Sequence, residues 1–227
     1  MTAKRSLLAC ALAAIASCSV LPTTASATLL STLTAGGTIT VGDLVFGSFS
    51  YLNTGDMPSD TGVNVVTYVD GAGDVGLMFQ GAFIDFLGGA GSDALIGFSV
   101  TELDATKNIS GATLTGNPSV LGGSGVASVT ETFLPTDTNL SLSIFSISPG
   151  TTKLSDSGTF AVGHSQVIVQ KDVLALSATV GGGVPTLSFV TQTFHESKNN
   201  IPEPTGIALM GTALAGLWIV RHRRRRR

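Results

Sequence analysis

Cysteine is almost missing from this chain of 227 residues: the only two, Cys10 and Cys18, stand within its first 27 positions. Removal of such a leader leaves a body with no disulfide, no cysteine nucleophile and no thiolate metal site. Arginine is absent as well between Thr28 and Asn200. In that stretch four lysines (Lys107, Lys153, Lys171, Lys198) face 14 acidic side chains, a net charge near −10. A body so charged is repelled by nucleic acid and by anionic lipid, and favours cations and neutral or positive partners. Aromatic residues are sparse at 6%, with Tyr51 and Tyr68 the only tyrosines and Trp218 the only tryptophan. The body holds two histidines, His164 and His195. It has no Gly-x-Ser-x-Gly elbow, no His-Glu-x-x-His and no phosphate loop, so catalysis has thin support and no cofactor is expected.

Helical periodicity is also scarce. Short runs rich in Val, Ile, Thr and Phe recur instead between glycine-containing turns. Runs 38–46, 63–69, 75–79, 95–103, 126–133, 140–147, 166–178 and 186–194 read as strands, the seventh with a break expected near Lys171-Asp172. Alternation in Leu140-Ser141-Leu142-Ser143-Ile144 and Ile96-Gly97-Phe98-Ser99-Val100 places one face in a core and the other in water. Turn chemistry separates the runs at Asp70-Gly71, Gly116-Asn117-Pro118, Pro149-Gly150 and Gly181-Gly182-Gly183. About 170 residues suffice for one core, and the pattern predicts an all-β fold, a single antiparallel β-sandwich over 28–195 with jelly-roll and immunoglobulin-like topologies both open. No fixed repeat supports a β-solenoid. Residues 196–200 read as a polar linker.

The two ends carry addresses. Lys4 and Arg5 precede the apolar run 7–15, and Ala25-Ser26-Ala27 supplies the small residues of a signal-peptidase site, which makes 1–27 a signal peptide cleaved after Ala27. Ile15-Ala16-Ser17-Cys18 competes as a lipobox, with Cys18 as a lipid-anchored terminus. At the other end Pro202-Glu203-Pro204 disfavours helix and leaves an extended segment. Fifteen apolar residues, 206–220, follow, and rise about 22 Å as a helix, short of a roughly 30 Å hydrocarbon core. Arg221, Arg223, Arg224, Arg225, Arg226 and Arg227 can snorkel to extend that span, and the positive-inside rule holds them in the cytoplasm. The body then lies outside it, and the arginines are topology charges rather than a nucleic-acid tail.

Motif, apolar helix and basic end, in that order over 201–227, resemble the sorting tail of PEP-CTERM proteins. The resemblance implies processing by exosortase, a membrane protease-transpeptidase, with Pro202, Glu203 and Pro204 as its recognition motif. It also implies a transient transmembrane helix at the inner membrane, final placement at the cell surface or outside it, and extracellular polysaccharide as company. The glycine-rich strands are similar to the small β domains of many such proteins.

Within the body, Gly88-Gly89-Ala90-Gly91-Ser92-Asp93-Ala94-Leu95-Ile96 fits one copy of the RTX calcium nonapeptide, whose aspartate reaches a calcium shared between successive turns. One copy reads more simply as a glycine hairpin. Asp70 and Asp74, flanking Gly71-Ala72-Gly73, are further calcium candidates with Asp93, although aspartate is common in turns for its own sake. Glu102 with Asp104 and Glu131 with Asp137 are the carboxylate pairs available for a glycosidase, but acids on strand faces are usually solvated. Thr38-Ile39-Thr40 and Thr113-Leu114-Thr115 are too few for the repeated array of an ice-binding face. The expected function is an exported, non-enzymatic envelope or extracellular-matrix protein. The alternative is a carbohydrate-binding or adhesive module that uses a sandwich face or loop end.

Overall fold

A computed structural model describes residues 27–86, 91–135 and 138–199. The segment expected as a signal, up to Ser26, and the whole of the expected sorting tail, including Pro202, Glu203, Pro204 and the arginine run, lie outside the described residues, as does Ala25 of the expected cleavage site. Among the described residues no helix is long and apolar enough to cross a membrane.

Two antiparallel seven-stranded sheets face each other. Sheet A runs β1 (Thr28–Leu29), β4 (Asn64–Val69), β5 (Val75–Ile84), β14 (Val184–Lys198), β7 (Lys107–Gly116) and β12 (Ser155–His164), with β8 (Ser119–Leu121) also paired to β14. Sheet B runs β11 (Thr152–Lys153), β10 (Ser141–Ser148), β9 (Gly125–Leu134), β13 (Gln166–Ser177), β6 (Ser92–Glu102), β3 (Leu44–Thr54) and β2 (Ile39–Val41). The expected all-β sandwich is present. After β3 the chain alternates between the sheets: β4 and β5 in A, β6 in B, β7 and β8 in A, β9 to β11 in B, then β12, β13 and β14 in A, B and A.

Period-two patterning builds the core. In β13 every second residue is buried from Val167 to Ser177, and in β6 every second one from Ser92 to Glu102. Rings from both sheets meet between them: Phe46 of β3 lies 5.9 Å from Phe194 of β14, and Phe98 of β6 lies 5.6 Å from Phe79 of β5. Phe98 also touches Phe46 and Phe49 of its own sheet. Leu30 and Leu33, three apart on the short helix α1 (Leu30–Thr34), complete one end of this core.

The strand expectations need four corrections. The run at 38–46 is a hairpin and not one strand, because Gly42 turns in the left-handed region at φ 58° and folds β2 onto β3. The break expected near Lys171-Asp172 does not exist, because Lys171 turns inward to partners in the core. The expected linker begins too early: Glu196, Ser197 and Lys198 pair with β7 as the end of β14. Five strands went unexpected: β7 and β12, whose small and polar residues hide their alternation, and the very short β1, β8 and β11.

Candidate functional site

The outer face of sheet A is where polar side chains gather. Phe194 and Gln192 of β14 point into the core, so Thr191, Thr193 and His195 point out. Register places Tyr68, Gly76, Thr193, Thr113 and Ser157 side by side across β4, β5, β14, β7 and β12. The neighbouring row is Val66, Met78, Thr191, Thr115 and Ser155. Thr191 and Thr193 are only 2% exposed although they stand on the solvent side of the sheet. Small side chains buried there are covered by larger neighbours, so these two rows form a low floor of threonine and glycine, called the trough below, with half-buried Tyr68 and Met78 in the same rows.

Hydrogen bonds fix the floor. The Thr193 hydroxyl donates to Asp70 Oδ2 at 3.1 Å, while Asp70 Oδ1 accepts the backbone N–H groups of Ala72 and Asp74 at 2.9 and 3.0 Å. Thr113 Oγ1 lies 2.8 Å from His195 Nε2, and that nitrogen lies 3.6 Å from Asp74 Oδ2. Asp70 and Asp74, the calcium candidates, therefore cap their own hairpin and brace the trough. Among the described residues no group of three His, Cys, Asp or Glu side chains is placed to hold a metal ion.

A separate cavity of about 220 Å³ is lined by Asp43, Asp74, Val75, Lys107, Phe194 and Glu196. Lys107 Nζ reaches Asp43 Oδ2 at 2.6 Å and Glu196 Oε2 at 2.8 Å, and these bonds raise its pKa above the usual lysine range. The ammonium thereby ties the β2–β3 turn of sheet B to β14 of sheet A.

Asp93 is elsewhere. It projects from the outer face of sheet B, diagonal to Asp172, because Asp93 pairs with Leu174 and Leu95 pairs with Asp172. Partial burial, then a hydrogen bond to Asp93, then the repulsion of its charge push the Asp172 carboxyl up to about 6. Leu52, Leu95, Leu174 and Leu176 are exposed on this face. Asp93 is thus a strand residue beside a second carboxyl; Gly88, Gly89 and Ala90 of the nonapeptide lie outside the described residues.

The other acids part ways too. Glu102 is buried and accepts the Asp104 N–H at 2.7 Å, a turn contact. Glu131, expected in solvent, is fully buried against Lys171; Asp137 lies outside the described residues. Thr113 and Thr115 find their neighbours in Thr191 and Thr193, and Thr38 and Thr40 lie on or beside the edge strand of the other sheet. Of the trough, Thr113, Thr115, Asp70 and Asp74 stood out in the sequence as motif residues, and Tyr68 and His195 only for their rarity. The Thr191-x-Thr193-x-His195 alternation was the missed signal.

No protein family matches the sequence, and no curated protein matches it. Among solved structures, TmCBM61 in complex with beta-1,4-galactotriose is 13% identical, over 64% of this chain and 88% of its own, at a TM-score of 0.30. A carbohydrate-binding module of the β-sandwich superfamily is 12% identical, over 70% of this chain and 58% of its own, at a TM-score of 0.30. Endoglucanase 3 of Trichoderma harzianum, from family GH12, is 10% identical, over 67% of this chain and 97% of its own, at a TM-score of 0.21. Superpositions this loose say nothing about what the present chain binds.

Proposed function

We propose that this chain is an exported, non-enzymatic surface or matrix protein whose sandwich holds a neutral polysaccharide in the trough of sheet A. The carrying observation is the trough itself: a hydroxyl-lined floor, one tyrosine at its side, and hydrogen-bonding groups held in place by Asp70 and His195. Sugars present hydroxyls and apolar ring faces, and such a surface answers both. Asp70, Asp74 and the acidic body disfavour anionic polymers. The non-enzymatic reading is supported by the fate of the carboxylates. Glycosidase pairs flank a sugar at separations of roughly 5 to 9 Å, whereas Asp93 and Asp172 bond each other, Glu102 closes a turn and Glu131 pairs with Lys171.

Affinity electrophoresis through neutral and acidic polysaccharides tests this reading. Retention by a neutral polymer is expected, weakened at least about tenfold, some 1.4 kcal/mol, by Tyr68→Ala. Equal retention of wild type and variant, or retention by acidic polymers alone, would overturn it.

Delivery forms the second half of the proposal. The signal segment exports the body, and the PEP-CTERM-like tail, Pro202-Glu203-Pro204 above all, presents it to exosortase at the inner membrane before release to the surface. The resemblance over 201–227 supports this. Co-expression with and without an exosortase, followed by intact mass, tests it; an unchanged mass sinks the sorting reading and leaves the trough untouched.

A further inference from the structure

Three polar side chains meet in the dry centre of the sandwich. Lys171 of β13 and Glu131 of β9 are register partners in sheet B, and Gln192 reaches them from β14 of sheet A. Lys171 Nζ lies 2.9 Å from Glu131 Oε2 and 3.1 Å from Gln192 Oε1, and all three residues are 0% exposed. Apolar residues stand beside them in register: Ile96 next to Lys171, and Leu77 and Leu114 flanking Gln192. Glu131 Oε1 has no hydrogen-bond partner.

As a salt bridge this arrangement is poor. Desolvation of two charges in such a place offsets their attraction, and a hydrophobic pair of similar volume serves stability as well. Burial is also the first cause pushing the Lys171 pKa down and the Glu131 pKa up, both toward neutral forms. A neutral amine has a free lone pair, and a neutral carboxyl has a proton to give. The amine stands against the carboxamide of a third residue and the carboxyl against the amine, in a site from which water is excluded.

We propose that Lys171 and Gln192 become joined by an isopeptide bond that forms spontaneously in the folded core, with Glu131 carrying the protons. The Lys171 Nζ lone pair attacks Cδ of Gln192, a C–N bond forms, and the carbonyl π pair moves onto Oε1. Glu131 donates its proton to the carboxamide nitrogen and takes one from the attacking amine. The oxygen pair then re-forms the carbonyl, the Cδ–Nε2 bond breaks with its electrons, and ammonia leaves. Lysine amine and glutamine amide become a secondary amide plus ammonia, and Glu131 ends as the carboxylic acid it began. No oxidant, metal or cofactor enters. Proximity makes the step reasonable, since fixed neighbours react at effective concentrations of roughly 10⁵ M or more when well oriented. The bond ties sheet B to sheet A through the core, a covalent brace in a body that has no cysteine to make one.

Peptide mapping of the denatured full chain tests this. Trypsin cuts the body only after its lysines, so an unlinked chain releases peptides 154–171 and 172–198 at their sequence masses. The linked chain resists cleavage after Lys171 and gives one species spanning 154–198, lighter than its sequence mass by one ammonia. Fragmentation places the link between Lys171 and Gln192. Glu131→Gln and Gln192→Leu, with folding checked by circular dichroism, are expected to release the two separate peptides. If either variant fails to fold, the wild-type map alone decides. Two wild-type peptides at sequence mass, or a folded Glu131→Gln chain linked as fully as wild type, would overturn the proposal.

Discussion

Replacing Asp172 with asparagine probes the carboxyl pair on sheet B, and the sign of its effect follows from the pair's titration. In the unfolded chain the Asp172 carboxyl ionises near its ordinary 3.8; in the fold it holds its proton to about 6. Below the first value both states are protonated, and the pair costs the fold nothing. As pH rises through the window between them, the unfolded state has released a proton that the folded state still keeps, so stability falls. Above 6 two like charges face each other and the loss is complete. A difference of this size corresponds to at most about 3 kcal/mol. Both carboxylates stand on an exposed sheet face, however, where solvent and salt screen them, and about 1 kcal/mol or less should survive. For a domain of this size that is roughly 2 to 4 °C in melting temperature.

Asp172→Asn keeps a side chain able to donate to Asp93 and removes one charge. Thermal unfolding at pH 3.5 is expected to show no difference from wild type, and at pH 7.5 the variant should melt higher. Added salt at pH 7.5 should shrink the gap. A gain of equal size at both pH values would mean that the benefit is not electrostatic and would refute the reasoning, as would no gain at pH 7.5.

Phe98→Ala removes the ring on which Phe46, Phe49 and Phe79 converge and should cost about 3 to 5 kcal/mol in chemical denaturation, while Leu52→Ala, at 70% exposure, should stay within about 0.5 kcal/mol. Gly76→Ala would place a Cβ 1.7 Å from the Gln192 carbonyl oxygen; a loss of about 3 kcal/mol or more is expected by denaturation, whereas Gly71→Ala meets nothing within 4 Å and should be nearly neutral. Tyr51 donates to the Pro58 carbonyl at 2.6 Å, and burial pushes its phenol up to about 12; Tyr51→Phe should remove a tyrosinate phase from the ultraviolet titration above pH 11 and cost about 1 kcal/mol.

The strands legible in the sequence were those whose inward residues are large. Run 140–147 alternates leucine and isoleucine with serine, and it became β10 within a residue of its expected bounds. β12 could not be read so, because on this edge strand Phe160 is the one large residue buried, among serines and glycines. Lys171 misled for a different reason. A lysine in an apolar alternation looks like a break, and only two partners distant in sequence, Glu131 and Gln192, let it face inward. The trough was illegible on the same ground. Tyr68, Thr113 and Thr193 become neighbours through strand pairing over long sequence separations, and periodicity reports only which side a residue faces.

The place of β14 bears on when this body can fold. It is the last strand among the described residues, yet it lies inside sheet A with β5 on one side and β7 on the other. Neither half of that sheet can close until the final segment arrives. Folding dominated by such distant pairings is slow, and the partly made chain exposes unpaired strand edges while it waits. A chain leaving a membrane pore amino end first would therefore stay pliant until residue 198 has emerged. Lys198 lies only four positions before Pro202, so the completion of sheet A and the exposure of the proposed sorting motif would become nearly one event, a timing written into the strand order.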